Sequence, residues 1–125
     1  MWRTGERMAS LRIKSRQWIV DDDDHIIIGE GRKEIFEHIR ETGSINQTAK
    51  VMRMSYKGVW GKIKATEKSL NMKIVDTDRK RGTRLTKEGE KLLEKYSKLK
   101  KACVKLDNKV FEEIFGQMQE DSEKK

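Results

Sequence analysis

The sequence predicts a mainly α fold of the α+β class, and three observations support this prediction. Two segments with helical spacing of apolar residues, 45–53 and 56–70, are separated by only a few residues. Two short segments of β type follow at residues 73–76 and 83–85. The last third of the chain carries a single apolar stripe with helical spacing. Together these features predict a winged helix-turn-helix, in which a helix pair precedes a β-hairpin wing, followed by a long C-terminal helix.

A β-hairpin and a helix are predicted before the helix pair. Residues 11–20 partly alternate between polar and apolar and contain β-branched and aromatic side chains, which predicts a strand. Residues 25–28 predict its partner, because the acidic run 21–24 between them is typical of a turn. The helix that follows is predicted over residues 32–41. Its apolar face consists of Ile35, Phe36 and Ile39.

Capping residues mark the starts of both helices of the central pair. Ser44 is a predicted N-cap with Gln47 at capping-box spacing, and Ser55 is placed to cap the second helix. The small side chain of Ala49 lies where two crossing helices need close approach. The apolar positions that keep helical spacing are Ile45, Ala49, Met52, Val59 and Ile63. This layout is that of a helix-turn-helix, whose second helix can enter the major groove of DNA.

The positive charge of the chain is concentrated on this central region. The 125 residues carry a formal net charge of +8. Residues 32–84 contain 14 Lys or Arg and 6 Asp or Glu, so their net charge is also +8 and the two flanks cancel. A localised basic patch is the electrostatic feature expected of a polyanion-binding protein. The composition therefore favours double-stranded DNA as the partner.

The outward face of the second helix is the predicted contact surface for bases and phosphates. We expect it to present Ser55, Tyr56, Lys57, Trp60, Gly61 and Lys64. Hydroxyl and amino groups donate to phosphates or base edges, and free amides at a helix start attract anions. For Trp60, a core position and contact with DNA both stay open. For Gly58 and Gly61 the alternatives are close helix packing, slightly favoured for Gly58, and close approach of the backbone to DNA.

A second contact surface is predicted in the wing, over residues 77–84. Its basic residues are Arg79, Lys80, Arg81 and Arg84. A solvated turn is the ordinary interpretation of a charge run, but beside a recognition helix we favour contact with phosphates or the minor groove. The predicted DNA-binding set also includes Thr83 in the wing and three residues at the start of the helix pair, Ser44, Asn46 and Gln47.

The last predicted element is one helix that runs from the N-cap Thr86 to about Met118. Its stripe has the alternating four- and three-residue spacing of heptad a and d positions. The stripe consists of Leu92, Tyr96, Leu99, Cys103, Leu106 and Val110. A helix about 45 Å long cannot bury this stripe on a small domain, so we predict pairing with a second copy. The predicted organisation is a tail (1–9), a DNA-binding domain (10–85), a dimerisation helix (86–118) and a frayed tail (119–125).

Other chemistry has little support in the sequence. Asp21–Asp24 and His25 suggest a metal cluster, but we expect consecutive carboxylates on one turn not to converge on one ion, so a solvated loop is favoured. The single cysteine, Cys103, excludes an intramolecular disulfide and is compatible with a reducing cytoplasm. No apolar run is long enough for a transmembrane helix, and no secretory signal is recognised. We expect no enzymatic activity, no cofactor and no bound metal.

Two stretches of the sequence resemble a known family. Residues 43–75, GSINQTAKVMRMSYKGVWGKIKATEKSLNMKIV, and residues 81–93, RGTRLTKEGEKLL, are similar to the DNA-binding domain of the molybdate-responsive ModE family. They resemble the LysR-type regulators more loosely. The resemblance covers about residues 10–110 and implies a winged helix-turn-helix transcription factor that dimerises through its long helix and binds palindromic operators. It also implies DNA contacts by Ser55, Tyr56, Lys57, Trp60 and residues 79–84. It includes no molybdate-binding domain, so no molybdate response is expected.

The sequence thus predicts a prokaryotic, homodimeric transcriptional regulator that binds specific double-stranded DNA in the cytoplasm, in association with the nucleoid. No membrane partner is expected, and a protein partner or a separate effector-sensing subunit stays open. Two alternatives also stay open. One is a winged-helix module that binds proteins, and the other is an architectural protein that binds DNA irrespective of sequence.

Overall fold

The computed structural model describes residues 10–123, with side chains through residue 116. Its elements are β1 (Ile19–Val20), β2 (Ile26–Ile28), α1 (Glu30–Thr42), α2 (Ile45–Met52), α3 (Tyr56–Leu70), β3 (Val75–Asp78), β4 (Gly82–Leu85) and α4 (Lys87–Glu123). This order confirms the predicted winged helix-turn-helix with an N-terminal β-hairpin and a long C-terminal helix. The predicted tail of residues 1–9 lies outside the described residues.

Internal contacts divide the chain into two compact units. One is Arg16–Lys98, and the other combines, among the described residues, 10–15 with 99–123. The predicted domain boundary at residues 85–86 therefore differs from this division. The reason is that the first turns of α4 insert Leu93 and Tyr96 into the core of the Arg16–Lys98 unit.

The N-terminal hairpin is shorter than predicted. β1 pairs with β2 in antiparallel fashion through only two residues, whereas the sequence predicted a strand over residues 11–20. Residues 10–18 have no regular secondary structure. β2 is followed at once by Gly29 and α1, so the earlier residues have no strand with which to pair. The prediction of a long first strand is therefore wrong.

The core of the Arg16–Lys98 unit collects apolar side chains from both hairpins and from all four helices. The predicted apolar faces of α1, α2 and α3 are confirmed. The buried apolar residues are Ile27, Ile28, Ile35, Phe36, Ile39, Ile45, Ala49, Val59, Ile63, Ile74, Val75, Leu93 and Tyr96. Arg32 links α1 to β2 and α3 by hydrogen bonds. Its guanidinium donates to the Ile26 carbonyl and, at 3.1 Å, to the hydroxyl of Thr66 on α3.

The wing is attached to the corner between α1 and α2 by its backbone. The amide of Thr83 donates to the carbonyl of Gly43 at 2.9 Å. Gly82 has a φ of 79°, and a Cβ at this position would lie 2.8 Å from the same carbonyl oxygen. Both the left-handed conformation and the close approach require glycine here.

The start of α4 crosses the strand that enters the wing. Thr86 caps the helix as predicted, because its hydroxyl accepts from the Gly89 amide at 3.1 Å. A Cβ on Gly89 would lie only 2.3 Å from the carbonyl oxygen of Ile74. The helix continues to Glu123, beyond the predicted end near Met118.

The second unit contains the C-terminal part of α4 and the residues that precede Arg16. Ser15 donates to the Asp107 carboxylate at 2.5 Å. The rings of Phe111 and Phe115 stack with centroids 5.1 Å apart. The predicted frayed tail of 119–125 begins within α4, and residues 124–125 lie outside the described part.

We expect Gly89→Ala to lower the free energy of unfolding by about 1–3 kcal/mol, because the added methyl collides with backbone rather than with a flexible side chain. Gly31→Ala in α1 is the matched control, since a Cβ there meets nothing within 4 Å. This control should be neutral or stabilising. Urea unfolding of the two variants measures both effects, and equal stability of the two would contradict the close crossing.

Candidate nucleic-acid interface

The helix pair is held in the predicted geometry by its two serine caps. The Gln47 amide donates to Ser44 Oγ at 3.1 Å, and the Gly58 amide donates to Ser55 Oγ at 2.9 Å. α2 ends at Arg53, whose left-handed φ of 54° turns the chain toward α3. Ala49 is buried, as a close helix crossing requires. These local interactions orient α3 with its apolar side, Val59 and Ile63, toward the core.

The opposite side of α3 is open to solvent at its N-terminal half. Ser55, Tyr56 and Lys57 are exposed, and half of the Tyr56 surface is accessible. Because the side chain of Ser55 satisfies only the amide of Gly58, the helix start keeps other backbone donors for an anion. The predicted recognition residues Ser55, Tyr56 and Lys57 are therefore accessible to a partner.

Trp60 lies at the boundary between the core and the solvent. Its side chain is half-buried and packs against the core. The Lys64 ammonium lies over its ring, 4.4 Å from the centroid. This cation–π contact holds a positive charge on the ring at the boundary between core and solvent.

The two glycines of α3 have different surroundings. A Cβ on Gly58 would lie 3.1 Å from Ser55 Oγ and 3.5 Å from the methyl carbon of Met54, so this glycine makes room for the cap rather than for a second helix. The slightly favoured interpretation of Gly58 as a helix-packing residue is therefore corrected. A Cβ on Gly61 would meet nothing within 4 Å. The protein's own packing thus gives no reason for glycine at position 61.

The start of α2 contributes a smaller polar surface. Asn46 and Gln47 are exposed, whereas Ser44 is half-buried and its hydroxyl is engaged as the cap. Of these three predicted contact residues, only Asn46 and Gln47 present accessible side chains.

The predicted wing cations are exposed and are not engaged in ion pairs with described residues. In β3–β4, Asp78 pairs with Gly82, and the turn between them is held by the Lys80 amide donating to Asp78 Oδ1 at 2.8 Å. The four predicted wing cations, Arg79, Lys80, Arg81 and Arg84, are exposed. Among the residues that the structure describes, none of the four forms an ion pair. Thr83 is half-buried, and its amide serves the contact with Gly43.

Glu67, which the sequence did not single out, joins α3 to the wing. Its side chain is only 8% exposed. Oε2 accepts the amides of Ile74 and Val75 at 2.8 and 3.1 Å, and Oε1 accepts the Lys64 ammonium at 2.9 Å. The Met72 amide also donates to the backbone carbonyl of Glu67 at 3.2 Å, so Glu67 accepts hydrogen bonds from four groups between Lys64 and Val75.

The environment of Glu67 favours its ionised form. Burial by itself raises the pKa of this carboxyl, but the hydrogen bonds from Ile74, Lys64 and Val75 outweigh it and the pKa is lowered. A buried carboxylate with three donors is thus retained as an anion at neutral pH. The one signal for it in the sequence is a glutamate three residues after Lys64, on the side of α3 that also carries buried Ile63.

The acidic turn of the first hairpin differs from expectation in one respect. Ligand atoms of Asp21, Asp23 and His25 lie within 4.8 Å of one another, so these side chains do converge. Asp21 Oδ1 already accepts the amides of Asp23 and His25 at 2.9 Å, and Oδ2 lies 3.1 Å from His25 Nδ1. The hydrogen bonds within the turn account for this convergence.

The residues predicted for helix pairing fall into two groups. Leu92 packs against the core, and Tyr96, 1% exposed, donates its hydroxyl proton to the Gln17 carbonyl at 2.8 Å. Tyr96 is thus a core residue of its own chain, which corrects its assignment to the dimer stripe. In the second unit, Cys103 is half-buried, and the exposed stripe residues are Leu99, Leu106 and Val110.

Residues 32–90 match the family model of the bacterial regulatory helix-turn-helix proteins of the lysR family. The match extends from Arg32 in the first turn of α1 through the helix pair and the wing to Glu90 in the first turn of α4. Residues 32–90 are thus similar to the helix-turn-helix domain of the LysR family. LysR-type domains of this kind belong to DNA-binding transcription regulators.

Within the matched residues, α3 is the second helix of the helix-turn-helix pair. No curated protein matches the sequence at a significant level. The resemblance to the ModE family stays a prediction. Among the described residues, no helix is both long and apolar enough to cross a membrane.

We expect the stabilising effect of Glu67 to depend on pH. Because its pKa is lower in the folded than in the unfolded chain, the ionised carboxylate stabilises the fold above its ordinary value of 4.5, and this contribution is lost as the pH falls through the folded value. Glu67→Gln should therefore cost about 1–2 kcal/mol at about pH 7 and less at about pH 3. Urea unfolding of both proteins measures this difference. A cost that is the same at both pH values would contradict the anionic role.

Proposed function

We propose that the chain is a sequence-specific transcriptional regulator that binds double-stranded DNA as a homodimer. In this proposal α3 enters the major groove, and the wing, residues 77–84, contacts phosphates or the minor groove. Regulation takes place in the cytoplasm at the nucleoid and involves no catalytic step.

The observation that carries this proposal is the coincidence of two accessible surfaces on one LysR-type domain. The first is the open N-terminal half of α3, where Tyr56, Lys57 and Gly61 face solvent. The second is the wing, whose cations have no carboxylate partner among the described residues. Unpaired cations beside free helix amides bind phosphates with release of counterions, so the affinity should depend steeply on salt.

The proposed contacts have separate roles. Lys57 and the wing cations neutralise phosphates and fix the register of the domain on the duplex. Tyr56 and the exposed part of Trp60 are placed to contact base edges and sugars. The open surface at Gly61 allows the backbone of α3 to approach the groove closely, because no side chain intervenes.

Pairing of two chains along α4 is the proposed basis of the homodimer. Leu99, Leu106 and Val110 keep heptad spacing and are exposed, and Ile114 extends the same apolar face. Cys103 lies between them at an equivalent position. Burial of such a stripe against its own copy removes apolar surface from water on both helices. A two-fold dimer would set the two α3 helices at half-sites about 34 Å apart, or a multiple of this distance.

Selection of bound sequences from a random pool of double-stranded DNA, at about 150 mM salt, tests this function. Enrichment of an inverted repeat with about 10 base pairs, or a multiple, between half-site centres is the expected result. Retention of DNA without any enriched sequence would contradict specific regulation and favour architectural binding. Failure to retain DNA would contradict the proposal and favour a protein partner.

We expect Gly61→Ala to separate folding from DNA binding. The added methyl meets nothing in the protein, and alanine favours a helix over glycine by about 1 kcal/mol, so the variant should be more stable. In the complex the same methyl lies where α3 approaches the groove, so affinity for the selected duplex should fall about tenfold, or about 1.4 kcal/mol. Fluorescence anisotropy measures this loss. Gly31→Ala, outside the proposed interface, is the matched control, and unchanged affinity of Gly61→Ala would contradict the close approach.

A charge in the stripe should abolish dimerisation without unfolding the chain. Leu106 is 60% exposed, so Leu106→Lys removes few contacts within its own chain but places two ammonium groups in the proposed helix interface. Sedimentation equilibrium should show a monomer for this variant and a dimer for the wild type. Asn108→Lys adds the same charge on the other side of α4 and should stay dimeric. A wild-type monomer at micromolar concentration that still binds DNA tightly would contradict the homodimer.

A further inference from the structure

The connection from α3 to the wing is short, and a side chain of α3 bridges its two ends by hydrogen bonds. α3 ends at Asn71, in a left-handed conformation with φ of 51°, and β3 begins four residues later at Val75. Across this turn, Glu67 Oε2 accepts the amides of both Ile74 and Val75. Among the described residues, Glu67 is the only side chain of α3 that hydrogen-bonds to the segment entering the wing.

The carboxylate is held in place from its other side as well. Lys64, one turn earlier on α3, donates to Oε1 at 2.9 Å and packs over Trp60. The ammonium stabilises the ionised carboxylate at the base of the wing, and hydrogen bonds to an ionised acceptor are about twice as strong as neutral ones. Glu67 therefore fixes the backbone of residues 74–75 to the recognition helix more firmly than a neutral side chain would.

The other strand of the wing is anchored to a different element. The Thr83 amide on β4 bonds the Gly43 carbonyl at the corner between α1 and α2. The backbone of the wing is thus hydrogen-bonded at three places: to the recognition helix through Glu67, to the α1–α2 corner through Gly43, and to the start of α4 through the Ile74 carbonyl, which accepts the Thr86 amide at 2.9 Å. Loss of the Glu67 contact leaves the other two in place, so the domain stays folded while the wing can tilt relative to the recognition helix.

A tilt at the base is amplified at the tip. β3 carries the turn about 10 Å away from Val75, at about 3.3 Å per residue, so a tilt of about 10° moves the turn by about 2 Å. Such a displacement is enough to break a hydrogen bond between a wing cation and a phosphate, whose optimal length is about 2.8 Å.

We propose that Glu67 is a positioning residue for DNA binding, which sets the orientation of the wing relative to the recognition helix. The proposal rests on the proposed function, since it assigns a role to Glu67 only if α3 and the wing contact the same duplex. Glu67 itself does not touch DNA. It acts through the two amides that it binds. Its removal leaves the wing cations in the chain but displaces them from the phosphates.

A double-mutant cycle in DNA affinity tests this role. The probe is a labelled duplex of about 30 base pairs that carries the selected site. If no site is enriched, the unselected pool serves as the probe. The wing change is Arg79→Gln together with Arg81→Gln. In the wild-type background it should lower the affinity at least about tenfold and reduce the slope of log K against log salt by about 2. In the Glu67→Ala background the same change should lower the affinity less than about threefold, with little change in slope.

Two controls separate positioning from a general loss of structure. Lys57→Gln removes a cation from α3 itself, so it should cost the same factor in both backgrounds. Lys64→Met leaves the hydrogen bonds from the amides of Ile74 and Val75 to Glu67 in place. In the Lys64→Met background the wing change should therefore still cause most of its loss of DNA affinity. Circular dichroism confirms folding at the temperature of the binding measurement. If Glu67→Ala is unfolded, Glu67→Gln replaces it, and the wing change should then lose an intermediate part of its effect.

The outcomes distinguish this proposal from the one on which it rests. Equal losses from the wing change in both backgrounds would overturn the positioning role of Glu67 and leave the proposed function intact. A wild-type protein that does not bind DNA would contradict the proposed function, and the positioning role with it.

Discussion

The buried carboxylate of Glu67 is the constraint around which the candidate interface is organised. The accessible cations lie on two elements, α3 and the wing, that are separate secondary structures and share no ladder of hydrogen bonds. Glu67 connects them through the amides of Ile74 and Val75, at the point where the chain leaves the helix. Removing a charge from water is costly unless donors replace its hydration, and here three donors do so. These donors thus keep the carboxylate buried at the point where it connects α3 to the segment that enters the wing.

Close backbone contacts brace the same junction from the other sides. Gly82 lies against the carbonyl of Gly43, and Gly89 lies against that of Ile74, both at distances that a Cβ does not allow. The wing base is therefore enclosed by α1, α3 and α4, while its tip carries unpaired positive charge. A rigid base with an exposed, charged tip is suited to a phosphate contact whose geometry is set before binding.

The sequence predicted those features whose causes are local. The serine caps and the apolar faces of α1 to α3 follow from residues a few positions apart, and the structure confirms them. Features that depend on distant partners were missed. The length of β1 is limited by β2, the role of Glu67 depends on amides beyond the end of its helix, and the heptad spacing of Tyr96 does not reveal that its own core covers it. Periodicity identifies a buried face but not the surface that buries it.

The most direct test of the account is the location of the DNA on the protein. Nitrogen-15 NMR spectra of the labelled chain, recorded with a duplex of about 20 base pairs, report each backbone amide separately. The account predicts that the largest changes occur at the start of α3, including Gly58 and Gly61, and at residues 79–84 of the wing, with little change in the β1–β2 hairpin. Changes concentrated on that hairpin or on α1, with α3 unaffected, would contradict it.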